Sequence, residues 1–172
     1  MNASRIVQFY YGDGLDHRGR TLDQLQTQTP DGLERNHDYI QWLFPLPERS
    51  SANADAPLLL PADIREFNHS EELRSNLLRS LAVMLGFYGL ETTGNTGELE
   101  IRRSGNFMAR SRVWLTPFNH NFLRITRILR CLSLLGCLEH ARAMLGCLEG
   151  IYRDHPAIIG QKTFQFWKTA VQ

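Results

Sequence analysis

Residues 70 to 89 read SEELRSNLLRSLAVMLGFYG. Leu73, Leu77, Leu81, Leu85 and Tyr88 recur every three or four positions, so a 3.6-residue period gathers them into one apolar stripe. Ser70 is a residue type that caps helix N-termini, and Gly89 is one that ends them. This stretch is therefore predicted as an amphipathic helix whose apolar face must be buried by other elements.

Upstream, Leu60-Pro61 opens a short helix with Ile64 and Phe67 inward, and ERSSANADAP at 48–57 is a polar surface loop. A helix is expected from about Gly32 to Phe44, with Leu33, His37, Ile40, Gln41 and Phe44 on one broad face and Pro45 and Pro47 ending it. TLDQ at 21–24 is a capping-box pattern that opens a short helix. The segment RIVQFYYGDGLDHRGRT, with Gly12, Gly14 and Gly19, is expected to be a turn-rich lead-in without regular structure.

Downstream, Leu90 to Ser104 breaks the helical pattern with Gly94, Asn95 and Gly97, which leaves a loop or one small hairpin near 94–102. Helices are expected over Asn106–Leu115, over Asn119–Leu135, over 138–153 and after Pro156. The fold class is all-α: residues 1–172 as one compact multi-helix domain of roughly six to eight helices.

Composition agrees with that class, at 42% hydrophobic and 22% charged residues. No signal-peptide pattern opens the chain and no apolar run is long enough to span a bilayer, so a soluble, cytoplasmic protein without membrane partners is expected. Cys131, Cys137 and Cys147 make an odd count without a CxxC pair, which suits buried free thiols. No P-loop, HExxH, GxSxG or GxGxxG motif is present, so several enzyme classes drop out and no cofactor is called for.

Charge is distributed unevenly behind a net +1. Residues 1–100 hold 15 acidic and 8 basic side chains (−7), while 101–138 hold seven arginines and no carboxylate (+7). Two segments then stand out as candidate ligand-binding sites. In the first, His37 and Gln41 lie one expected helical turn apart, with Trp42 beside them as a pocket wall. In the second, His120 and Asn121 lie in the first turn of a helix, where free N–H groups favour anions, and Arg124 and Arg127 follow on one face. Arg110 and Trp114 precede that helix and can converge on it, Arg110 as a further anion contact and Trp114 as a stacking surface. The competing structural readings are a packed helix end for the first segment and internal ion pairs with the acidic half for the second. A nucleic-acid path over Arg102, Arg103, Arg110, Arg112, Arg124, Arg127 and Arg130 is disfavoured by a pI near 7.8 and only two lysines. A metal site drawn from His37, His69 and His120 lacks any ligand-pair spacing.

YIQWLFPL at 39–46, LRITRIL at 123–129 and LGFYGL at 85–90, in that arrangement, resemble the conserved domain of the opioid growth factor receptor family. FYYGDGLDHRGRTLDQL at 9–25, NHNFLRITRILRCLSLLG at 119–136 and Phe166-Trp167 extend the likeness over roughly 6–168 and are similar to its bacterial single-domain members. What the resemblance implies is limited. Animal members are receptors for an enkephalin peptide and carry long C-terminal tails, and no catalytic residue transfers. The function expected is a binding module with a Trp/His/Arg-lined pocket for a small anionic ligand or peptide. An enzyme using a histidine base and the arginine cluster, or an interaction domain without a small-molecule site, is the alternative.

Overall fold

The computed structural model describes residues 3–50, 53–94 and 99–172. Among them are eleven helices and one two-stranded antiparallel sheet: α1 (Arg5–Tyr11), α2 (Leu22–Gln26), α3 (Pro30–Arg35), α4 (Ile40–Leu43), α5 (Pro61–His69), α6 (Glu71–Tyr88), β1 (Leu90–Thr93), β2 (Glu100–Arg103), α7 (Phe107–Trp114), α8 (Asn121–Leu134), α9 (Leu138–Asp154), α10 (Pro156–Ile159) and α11 (Gln161–Ala170). The mostly helical class is as expected, but the helix number exceeds six to eight. The excess lies in pieces of four to seven residues, too short to display a helical period.

The local end signals act as their residue types dictate. Ser70 Oγ accepts from the Leu73 N–H at the start of α6, and Gly89 closes it at φ 74. Thr21 and Gln24 form the reciprocal capping box of α2. Three boundaries differ from expectation. The lead-in contains α1, because its glycines all follow Tyr11 while Ser4 caps the front and Ile6, Val7, Phe9 and Tyr10 are buried. The helix expected over 32–44 is two helices, since Asn36 is extended (φ −97, ψ 131). The last helix is likewise two, divided at Gly160 with φ 79. The hairpin exists, but its paired residues are 90–93 and 100–103 rather than 94–102; Leu90 faces Arg103 and Thr93 faces Glu100. Residues 95–98 of the expected hairpin lie outside the described residues.

Helix α6 is the central element, touched by α1, α2, α3, α5, α7 and β1. Helix α8 packs on α9 and α11, and β2 lies against α9. A run of edge-to-face aromatic rings joins the two halves: Tyr88 to Trp114 (5.4 Å), Trp114 to Phe122 (6.5 Å) and Phe122 to Trp167 (5.9 Å). Both indole N–H groups in this run are satisfied, Trp114 by the Tyr88 carbonyl (3.0 Å) and Trp167 by the Phe122 carbonyl (3.1 Å), which removes the cost of burying them. No helix among the described residues is long and apolar enough to cross a membrane.

Candidate functional site

Three arginines on one stripe of α8 grip the chain that runs from α3 past α4. Arg124, 6% exposed, donates from Nη2 to the Asn36 carbonyl (3.0 Å) and to His37 Nδ1 (3.1 Å), and from Nη1 to Asn121 Oδ1 (3.2 Å). It also pairs with Glu34 at 3.6 Å and lies over the Tyr39 ring. One turn on, Arg127 Nη1 donates to the Phe44 carbonyl at 2.9 Å. One turn further, Arg130 pairs with Glu48. The i, i+3, i+6 spacing aims all three at successive points of residues 34–48.

Between this stripe and residues 37–50 lies a cleft of about 440 Å³. His37, Gln41, Arg49, Ser50, His120, Arg124, Arg127 and Arg130 line it together with Ile40, Leu46, Leu123 and Thr126, and no carboxylate is among them. The imidazoles of His37 and His120 stand edge to face, 5.1 Å apart. Burial and the Arg124 guanidinium hold His120 below its ordinary pKa of 6.5, with His37 adding and Glu34 opposing. Burial likewise lowers the Arg127 guanidinium. Gln41 is 4% exposed, its Nε2 reaching Ser50 Oγ at 3.5 Å. Its buried Oε1 meets no hydrogen-bond donor among the described residues.

Five of the nine expected site residues thus share one cleft: His37, Gln41, His120, Arg124 and Arg127. His37 and Gln41 meet there although no single helix carries them; the extended Asn36 and the separate α4 bring them to the same wall. Asn121 is buried behind it and holds Arg124 and Glu34. The other three lie elsewhere. Trp42 is fully buried, edge-on to Phe9 (5.0 Å), and donates its indole N–H to His17 Nδ1 (3.0 Å). Trp114 belongs to the aromatic run of the core. Arg110 donates to the Phe87 carbonyl (2.8 Å) and stacks on that ring. Aromatic size favoured core over pocket in both tryptophans.

The first turn of α8 is also no anion site. Asn119 Oδ1 accepts from the Asn121 N–H (2.9 Å), and the Asn119 and His120 carbonyls take the next N–H groups. Part of the charge asymmetry is met by pairing with the acidic half, Arg102 with Glu91, Arg110 with Asp31, Arg124 with Glu34 and Arg130 with Glu48, while Arg103 pairs with Asp154. Sequence reasoning missed Arg49 and Arg130 as cleft residues. The three-residue step 124, 127, 130 was the available signal for Arg130, whereas Arg49, on a polar loop, offered none.

Nine of the twelve cleft residues fall in the quoted blocks 39–46 and 119–136, His37, Arg49 and Ser50 lying outside them, and comparison with known proteins agrees on the family. The family model described as the Opioid growth factor receptor (OGFr) conserved region matches residues 12–172. The chain belongs to the opioid growth factor receptor family. It is 47% identical to the opioid growth factor receptor of Mus musculus across 116 residues, 67% of this chain and 18% of that protein. The Homo sapiens receptor is 43% identical across 122 residues, 71% of this chain and 17% of that one. Opioid growth factor receptor-like protein 1 of Mus musculus is 42% identical across 104 residues, 60% and 22% of the two chains. The chain therefore matches only about a fifth of these relatives' length. No solved structure matches it.

Proposed function

We propose that this domain is a binding module whose cleft between residues 37–50 and α8 takes a small anionic ligand or the anionic end of a peptide. One observation carries the proposal: four arginines and two histidines line the cleft without a carboxylate among them. Among the described residues Arg49 has no partner, while Arg127 donates to the Phe44 carbonyl and is acted on at longer range by Glu48, the ion-pair partner of Arg130. Guanidinium groups in such a place bind carboxylate or phosphate bidentately. Relatives named as receptors support a binding role. Treating 1–172 as one such domain is supported by the continuous core from Ile6 to Ala170.

A thermal-shift and calorimetric screen against inorganic phosphate, acetate, nucleotides and short peptides tests this. Binding that weakens with salt and drops in Arg49→Ala is the expected result. Binding that Arg49→Ala and Arg127→Met leave unchanged, both variants being folded, would exclude the cleft. A second reading, an enzyme with His120 as general base, rests on its lowered pKa; turnover of any bound compound, lost in His120→Gln, is its test.

A further inference from the structure

Charge balance and one buried amide narrow the ligand class, granted the anion-binding cleft just proposed. Of the four arginines lining the cleft, Arg124 is matched by Glu34 and Arg130 by Glu48. Among the described residues no carboxylate pairs with Arg49, and Glu48, already paired with Arg130, also acts on Arg127 at longer range. Four guanidinium charges against the two carboxylates Glu34 and Glu48 leave an excess of two, which a dianion balances and a carboxylate only half balances. Arg127 is half-buried and fixed through Nη1 to the Phe44 carbonyl, so the rest of its planar fork is preorganised for an oxyanion.

Gln41 adds an independent demand. Its side chain is 4% exposed, lines the same cleft, and keeps Oε1 buried without a donor. Native proteins leave few buried acceptors unpaired, and the Gln41 side chain that carries this one lines a space large enough for a small molecule. Ile40 and Leu46 supply an apolar wall beside it. A ligand that fits all three features carries a doubly charged oxyanion at one end and an N–H or O–H donor on a partly apolar body.

We infer that the cleft binds a small phosphomonoester, with its phosphate between Arg49 and Arg127 and a donor on its body bonded to Gln41 Oε1. Guanidinium binds phosphate as two parallel hydrogen bonds. The amide oxygen discriminates for bodies bearing a donor, because a ligand without one leaves it buried and unpaired.

Calorimetric or NMR titration with AMP, phenyl phosphate, inorganic phosphate and benzoate tests this. AMP is expected to bind at least tenfold more tightly than benzoate. Arg49→Ala, at an exposed side chain, is expected to weaken AMP at least tenfold. Gln41→Met is expected to weaken AMP severalfold and leave inorganic phosphate unchanged. Arg127→Met repeats the Arg49 test at the second guanidinium. Benzoate binding as tightly as AMP would overturn the dianion assignment and leave the anion cleft standing. An unchanged AMP affinity in Gln41→Met would overturn the donor assignment. No binding of any probe would overturn this inference and the anion cleft together.

Discussion

Arg124 Nη2 donates to the backbone carbonyl of Asn36 at 3.0 Å, across 88 positions of sequence. The same guanidinium holds Asn121 and His37 and pairs with Glu34. It therefore fastens the extended break between α3 and α4 onto α8, and the cleft exists because of that fastening. Its donors are spent on the protein, which makes it a positioning residue rather than the anion contact its spacing suggested.

Arg124→Ala should accordingly destabilise the fold, since it strips the donor from the Asn36 carbonyl and Asn121 Oδ1, and an unsatisfied buried acceptor costs about 1–3 kcal/mol. Arg124→Lys should recover little, because an ammonium cannot span the Asn36 carbonyl, His37 and Asn121 together. Urea unfolding followed by circular dichroism checks this; a stability equal to wild type in Arg124→Ala would contradict the fastening role.

Trp42 is predicted to matter for folding alone. Trp42→Ala should cost about 3–5 kcal/mol, the usual loss for a buried tryptophan, against a total stability on the order of 5–15 kcal/mol. Trp42→Phe should cost less, keeping the ring beside Phe9 but leaving His17 Nδ1 without its donor. Denaturation midpoints of the two variants should fall in that order below wild type.

Gly89 permits the sharp exit from α6. At φ +74, an added Cβ would stand 2.7 Å from Phe107 Cα and 3.0 Å from Arg110 Cβ. Gly89→Ala should thus exceed the roughly 1–2 kcal/mol cost of a left-handed alanine, with Phe107 and the start of α7 displaced. Thermal melting and the shifts of α7 amides in an NMR spectrum would show it.

Two histidines, His120 in the cleft and His140 on α9, give the domain an acid sensitivity. His120 titrates below 6.5 through burial and Arg124, and His140 does so through burial opposed by Glu139. A depressed folded pKa means the neutral form is favoured on folding. The associated stabilisation is complete above pH 6.5 and is lost as pH falls through the folded values. Glu34→Gln should lower the His120 pKa further, because Glu34 is the group that raises it. An imidazole proton titration of both proteins reads this directly; an upward move in the variant would refute the assignment.

The cysteines should be slow to react. Burial pushes Cys137 up to about 11 against the opposing Arg74, and raises Cys131 further against Arg127. At pH 7.5 little thiolate forms at either. A thiol reagent should label the two slowly in the native protein and all three cysteines at once after unfolding.

Much of the fold was legible because its signals are local. The Ser70 cap, the stripe from Leu73 to Tyr88, the Thr21–Gln24 box and the stop at Gly89 each act within a few residues, and backbone hydrogen bonding and burial periodicity enforce them wherever they stand. What failed to show was also local but too brief: α1, with its burial carried by four residues, and the division at Asn36, where the periodicity of Leu33, His37, Ile40 and Phe44 ran on through a break.

The site followed a different rule. His37, Gln41, His120, Arg124 and Arg127 could be singled out by residue type, and they do line one cleft. The sequence by itself determined the helical class, the caps and which side chains could carry charge. Only the tertiary structure decided that Trp42 and Trp114 are core, that Arg124 is consumed by the Asn36 carbonyl and Glu34, and that Arg49 faces the cleft from a loop. The reason is physical. A cap or an apolar stripe is satisfied by neighbours a turn away, whereas an arginine finds its partner wherever packing brings a carbonyl or carboxylate within reach, here more than eighty residues distant.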